Sequence, residues 1–318
     1  MEQTPLWTLP VGDTELTVMP YAVCVVAAIA CGLLLLALTS RGKLKSGTVS
    51  TLAVLMLPLG LVFAKLFHVA GDWYWYEAAG LDSILRLWEG GYGLWGAVLG
   101  CSIAVLLTSR IAKEPCSVLF DACAAPAALV IAVCRFAEYP FTGQGIGMGV
   151  DTDSVFCRFP FAVVNEWEEW YWAIFMLEGL IALIILAVLL LSRRSGGGKA
   201  RMFLILYSAA QIICESLRRD QYLVWSFVRV SQLTAALVLA GLIAAALIRR
   251  HGPDRKDWIH LVFFVLGIGI VIGMEFAKDK LPALPIWSCY AIMAAASAMM
   301  GIVTWQLVFR KPETSGKS

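Results

Sequence analysis

Charge is what this chain has least of. Asp, Glu, Lys and Arg together make up 15% of its 318 residues, and histidine occurs only three times. A domain surrounded by water carries about a quarter of its residues as charged side chains, so a soluble globule is excluded, and no nucleic-acid partner is expected. Metal-binding and disulfide patterns are missing as well. There are nine cysteines but no CxxC, and no two fall in a loop where an oxidising compartment would pair them. Seven of them (Cys24, Cys31, Cys101, Cys123, Cys134, Cys214, Cys289) lie in apolar runs, where cysteine acts as a small hydrophobe. Cys116 and Cys157 lie in loops on opposite sides, so neither a disulfide nor a metal site is expected. VLGC, ending at Cys101, has the look of a lipoprotein acylation site but sits inside an apolar run, and reads as coincidence. Lys and Arg are absent from the opening MEQTPLWTLPVGDTEL. A removable signal peptide needs a basic lead-in, so the first apolar run is expected to stay as a membrane span. SGGGK at 195–199 lacks the strand and spacing of a phosphate-binding loop. No repeat of fixed period is visible.

What is present is oil. The chain is 60% hydrophobic with a mean hydropathy of +0.77. A span takes about 20 apolar residues. Nine stretches qualify, at 17–39, 50–70, 92–112, 118–138, 170–192, 199–217, 227–249, 258–276 and 285–309. The expected fold is therefore an all-α polytopic membrane protein. Lys and Arg gather in alternate loops (Arg41, Lys43, Lys45; Arg110, Lys113; Arg193, Arg194, Lys199, Arg201; Arg249, Arg250, Arg255, Lys256) and in the tail. The segments between hold fewer than half as many. The positive-inside rule then predicts an outside N-terminus and a cytoplasmic C-terminus, as an odd number of spans requires. Two outward segments stand out. In 71–91 the aromatics Trp73–Tyr76 suit the headgroup level, and Ile84, Leu85, Leu87 and Trp88 are expected to form a short surface helix with Asp82 near its start. Segment 139–169 opens on Pro140 and four glycines and ends in NEWEEWYW. The tail from Lys311 reads as polar and disordered.

Ionisable side chains inside spans are costly and point to function by default. Arg135 and Glu138 sit three apart on one helical face, followed by the glycine-rich GQGIGMG; bare backbone beside a fixed guanidinium makes an anion cradle. Glu178 interrupts WAIFMLEGLIALII. Tyr207, Gln211, Glu215 and Arg218 recur at spacings of four, four and three, along one stripe. Lys65 and His68 either snorkel to the surface or belong to a site. Asp121 reads as a boundary cap and Glu275–Lys278 as a boundary ion pair. In GGYGLWGAVLG, Gly96 and Gly100 suit close helix packing, a reading compatible with function. Together these residues imply a site for an outer-leaflet phospholipid headgroup, with arginine offering its planar fork to phosphate. The residues alone leave the reaction open. A small-solute transporter fits less well, because the polar groups crowd toward one face.

The pattern resembles the prolipoprotein diacylglyceryl transferase family from about Tyr21 to about Gly241. Tyr21 in MPYAV is similar to the family's first-span tyrosine, and Lys65 in FAKLF to its basic position. LWEGGYGLWGAVLG, with Gly90, Gly91, Gly93 and Gly96, is similar to its glycine-rich approach to the third span. CRFAEYPFTGQGIG keeps the signature arginine as Arg135, and MLEGL keeps Glu178. LYSAAQIICESLRRD keeps Tyr207, Glu215 and Arg218, and VSQLTAALVLAGLI matches the span that follows. Three positions depart: Trp95 stands for the family's histidine, Glu138 for an asparagine and Gln211 for an arginine.

The resemblance implies transfer of the diacylglyceryl group of phosphatidylglycerol to the lipobox cysteine of a prolipoprotein signal peptide, without cofactor or metal, in the bacterial inner membrane. Arg135 is then expected to hold the phosphate, with Glu215 as an acid–base candidate; Glu138, which departs from the family, is the other acid–base candidate on its own chemistry. Tyr21, Lys65, the four glycines, Glu178, Tyr207, Gln211 and Arg218 go to the lipid. Residues 1–249 then form the transferase domain, and 250–318 a two-helix extension. An inactive lipid-binding or partner-regulating homologue is the alternative that Trp95 and Gln211 suggest.

Overall fold

The computed structural model describes residues 5–11, 14–87, 90–220, 223–225, 228–250, 254–281 and 284–310. Trp88 and the tail from Lys311 lie outside the described residues. Among those described, nine helices are long and apolar enough to cross a bilayer. They are α1 (Pro20–Ser40), α2 (Thr48–Gly71), α4 (Leu94–Ala112), α5 (Cys116–Thr142), α6 (Ile174–Leu191), α7 (Gly198–Leu217), α8 (Val230–Arg249), α9 (Arg255–Lys280) and α10 (Ile286–Phe309). In a bilayer, backbone amides find no water, so helices that satisfy them internally are the expected solution. The protein is a polytopic helical membrane protein.

Three boundaries differ from expectation. Helix α5 runs four residues past 138, through Pro140, and stops where Gly143 takes φ +70° and its N–H donates to Tyr139 O at 2.9 Å. Helix α6 starts at Ile174, because Trp170–Trp172 is a strand. The surface helix expected from Ile84 onward is instead a 3₁₀ turn at Leu81–Leu85, where Arg86 pairs with Asp82 at 2.6 Å. The aromatics Trp73–Tyr76 belong to a separate short helix, α3 (Trp73–Ala79).

The chain divides into two compact units. The first comprises Met1–Ala200 with Arg218–Val230. Its core joins Leu36, Leu52, Val105 and Leu119 from α1, α2, α4 and α5. Small residues draw the helices together. A Cβ on Gly96 would lie 2.2 Å from Phe63 O, and one on Gly100 would lie 2.2 Å from Leu59 O, so α4 rests directly on the backbone of α2. Gly179 of α6 makes room in the same way for the Phe136 ring of α5. Between α5 and α6 a hairpin forms from β3 (Ala162–Val164) and β4 (Trp170–Trp172). Backbone bonds from Gly147 N to Trp172 O (2.8 Å) and from Val150 N to Trp170 O (2.7 Å) tie the glycine loop to it. Short pairs β1 (Trp7–Val11) with β2 (Thr14–Val18), and β5 (Val224–Trp225) with β6 (Val228–Arg229), complete the unit. Asp121 is the expected cap, accepting from Gly197 N (2.9 Å) and Ala200 N (3.0 Å) at the start of α7.

The second unit comprises Arg201–Leu217 with Ser231–Ser318. Gly267 of α9 packs against Met300 of α10, and Gly301 against Ala209 of α7. Asp254 opens α9 with a reciprocal capping box to Asp257. Asp257 also accepts from Arg310 Nη1 at 3.0 Å, which fastens the end of α10 to the start of α9. Lys278 and Glu275 form the expected ion pair, at 2.5 Å.

Candidate functional site

Helical spacing puts Arg135, Glu138, Tyr139 and Thr142 on one side near the end of α5. Arg135 Nη1 donates to Glu138 Oε2 at 2.8 Å, and its Nε pairs with Glu178 Oε2 at 2.7 Å, from the first turns of α6. Arg218, immediately after α7, reaches the same carboxylates. Its Nη2 lies 2.5 Å from Glu138 Oε1, and its Nη1 lies 3.3 Å from Glu138 Oε2 and 3.2 Å from Glu178 Oε2. Two guanidiniums thus share two carboxylates. The Arg218, Glu138 and Glu178 side chains are each under a tenth exposed, and Arg135 is 16% exposed.

Asp220 extends the network, and the sequence reading missed it. Its carboxylate accepts from Arg218 Nε (3.2 and 3.0 Å) and Nη2 (2.7 Å). It also accepts from the N–H of Gly145 at 2.9 Å. Gly145 holds φ +83°, and a Cβ there would lie 2.8 Å from Phe175 Cβ and 3.3 Å from Glu138 Oε2. Only a glycine lets the loop backbone lie against the charges. Arg229 binds the carbonyls of Asp220 (2.9 Å) and Arg218 (2.6 Å) and stands 3.5 Å from Asp220 Oδ1. The signal available for Asp220 was its place in LRRD, an acid beside two arginines directly after a span. Tyr21 of α1 lies within electrostatic reach of Glu138, Arg135 and Arg218. Three guanidiniums and three carboxylates balance in this cluster, and burial strengthens each pairing.

Lys65 belongs to a different grouping. It does not snorkel: it is 4% exposed, its ammonium donates to Gly90 O at 2.7 Å, and it lies over the rings of Tyr76 (5.3 Å) and Tyr92 (5.7 Å). His68 Nδ1 is 3.1 Å from the Tyr76 hydroxyl. Gly90 and Gly91 hold φ +81° and +74°, and a Cβ on Gly91 would press within 2.8 Å of that hydroxyl. The Gly93 N–H bonds Ala64 O at 2.9 Å. Gly93 and Gly96 therefore serve helix contact, and Gly90 and Gly91 shape the loop that meets Lys65. Trp95 is buried.

Tyr207, Gln211 and Glu215 lie on α7 in the second unit, all buried. Tyr207 stacks on Phe203 with centroids 5.7 Å apart. Gln211 Nε2 donates to Glu215 Oε1 at 2.6 Å, which orients the carboxylate.

Beyond the end of α5 the first unit forms a half-open cavity of about 360 Å³ whose walls include Tyr139, Asn165, Trp167, Tyr171, Arg219 and Asp220. Tyr139 donates to Val164 O at 2.7 Å and stacks on Phe175. Arg219 lies 5.6 Å from the centre of the Tyr171 ring. Tyr171 in turn donates to Glu169 at 2.6 Å. Among the described residues no group of three or more His, Cys, Asp or Glu side chains converges as a metal would need.

Among the described residues, nine helices long and apolar enough to cross a bilayer, with a buried, charge-balanced polar cluster where α5 ends and α6 begins, define a polytopic membrane protein. The chain belongs to the prolipoprotein diacylglyceryl transferase family, whose model matches residues 11–248. It is 28% identical over 295 residues to the phosphatidylglycerol–prolipoprotein diacylglyceryl transferases of Mycobacterium bovis and Mycobacterium tuberculosis, covering 83% of this chain and 58% of theirs. It is 26% identical over 256 residues to that of Listeria monocytogenes serotype 4a, covering 77% of this chain and 91% of the other. The chain thus spans less than two thirds of the length of the mycobacterial relatives it matches.

Proposed function

We propose that this protein transfers the diacylglyceryl group of phosphatidylglycerol to the lipobox cysteine thiol of a prolipoprotein, at the outer leaflet of a bacterial inner membrane. The observation that carries the reading is the family match over 11–248, which also supports 1–249 as the transferase domain and 250–318 as an extension. The bias of Lys and Arg toward alternate loops supports an outside N-terminus and a cytoplasmic C-terminus. In the reaction, the cysteine sulfur forms a bond to the glyceryl carbon, that carbon's bond to the phosphate oxygen breaks, and glycerol phosphate departs with the electron pair. The thiol proton passes to a base. Arg135 holds the phosphate with Arg218 beside it, and Glu138 and Glu215 are the candidates for the proton. Tyr21, Lys65, the Gly90–Gly96 stretch, Glu178, Tyr207 and Gln211 shape the headgroup environment.

The geometry sets a condition on this chemistry. Arg135 Nη1 and Nε already face carboxylates, so a phosphate has to displace Glu138 or Glu178 to reach them. Incubating detergent-purified protein with phosphatidylglycerol and a lipobox peptide tests the reading: glycerol phosphate is released, and Arg135→Ala lowers the rate by about 10²–10³, the loss typical of one charge-assisted donor. No release from the unaltered protein overturns it. One observation favours the inactive homologue instead. Gln211 replaces a family arginine and is turned toward Glu215, so it brings no positive charge to the phosphate. That reading predicts phosphatidylglycerol binding without release.

A further inference from the structure

We propose that the cavity beyond α5 receives the stretch of acceptor polypeptide that follows the modified cysteine. The inference rests on the transfer reading above and adds a second binding site to it. Three features carry it.

First, the walls lie outside the spans. Apart from Tyr139, they come from the loop after the Gly143 cap, from the β3–β4 hairpin and from the segment after α7. Fatty chains have no reason to leave the bilayer for such a place, whereas a polypeptide emerging from the membrane passes it.

Second, the cavity abuts the charged cluster. Asp220 borders the cavity and grips Arg218 at 2.7 Å, while Tyr139 borders it and directly follows Glu138. An occupant is thus held one residue away from the guanidiniums proposed to meet the phosphate. A peptide seated there would present its preceding cysteine to them.

Third, the lining suits amides rather than an ion. The Glu166 carboxylate opposes a free anion, and Arg219 opposes a free cation. Donors and acceptors of both kinds, beside the Trp167 and Tyr171 rings, match the alternating N–H and C=O groups and the side chains of a peptide. The volume, at the small end of the roughly 300–1,000 Å³ typical of ligand pockets, admits a short stretch of chain.

The test compares two fluorescent lipobox peptides, one ending at the cysteine and one extended by a few residues. Binding to the detergent-solubilised protein is read by anisotropy, in the presence of phosphatidylglycerol. The extended peptide is expected to bind about tenfold more tightly, with Trp167→Ala and Arg219→Ala each reducing that advantage to about twofold, as loss of an interface aromatic or arginine does. Trp167 is 77% exposed, so its truncation leaves packing intact. Equal affinities in the unaltered protein, no binding of either peptide, or an advantage kept by both variants overturns the proposal. So does a loss of phosphatidylglycerol binding in nanodiscs with the peptide advantage unchanged, which would make the cavity a headgroup site. Glycerol phosphate release is read separately. Length-dependent binding without release keeps the cavity assignment and removes the transfer reading; release without length dependence does the reverse.

Discussion

Arg218 and Lys65 are both cations buried within the first unit, and the protein accommodates them by different means. Around Arg218, full charges answer full charges: Glu138, Glu178 and Asp220 lie within 3.3 Å of its nitrogens, and Arg135 and Arg229 continue the alternation. Around Lys65 the contacts include a carbonyl at 2.7 Å and two aromatic faces. A charge-balanced network holds its members in fixed geometry, because removing one leaves the others uncompensated. The first arrangement ties α5, α6 and the segment after α7 to one another; the second ties the Gly90 loop to α2.

The largest expected effect breaks the network. Arg218→Ala takes away one of the two guanidiniums that Glu138 and Glu178 share, and the nearest cation to Asp220, and should destabilise the protein by about 3–5 kcal/mol, the range for a broken buried pair. Thermal unfolding in detergent measures it, and a loss below about 1 kcal/mol would show that the cluster is solvated rather than buried. Next comes the packing beneath Lys65. Gly96→Ala drives a methyl group to 2.2 Å from Phe63 O, so α2 and α4 must part. Overpacking of this kind costs about 1–3 kcal/mol, and an unchanged melting temperature would contradict the contact. Lys65→Met keeps the stem and removes the donor from Gly90 O. Loss of that hydrogen bond by itself accounts for about 1 kcal/mol, and a loss as large as that of Arg218→Ala would erase the contrast between the two regions.

That contrast was only half visible in the sequence. The nine spans were legible because a bilayer constrains each segment by itself: about 20 apolar residues announce a helix whatever its neighbours do. Arg135 with Glu138 was legible because their spacing is local. The meeting of Arg218 with Glu138 and Glu178 was not, since the partners stand 80 and 40 positions away and pairing is a tertiary fact. Asp220 was passed over because an acid next to two arginines at a span boundary reads as solvated. For Lys65 the sequence left two readings open. Snorkelling is the usual resort of a lysine near a helix end, and nothing local foretold that the Gly90 carbonyl would fold back to meet it. Pro140 misled for a related reason. It ends helices when an N–H is needed behind it, yet here α5 runs past it to a glycine cap.

The smallest effect sets the zero of the comparison. Glu169, in the β3–β4 hairpin, is bound by the Tyr171 hydroxyl at 2.6 Å and by Asn165 Nδ2 at 3.1 Å, much as Glu138 is bound by two guanidiniums, but in full solvent. The Tyr171 bond, then the Asn165 bond, hold its carboxyl below the usual carboxylate range, with the Arg219 charge assisting. A lowered folded-state pKa gives stability that is present above the unfolded value and lost as pH falls through the folded one. For an exposed group, water and salt screen that contribution heavily. Tyr171→Phe should therefore move the Glu169 titration upward, toward its ordinary value, as read by carboxyl-carbon NMR, while the melting temperature at neutral pH stays within error. If the variant instead melted as far below the parent as Arg218→Ala does, burial would not be what separates the cluster from the surface.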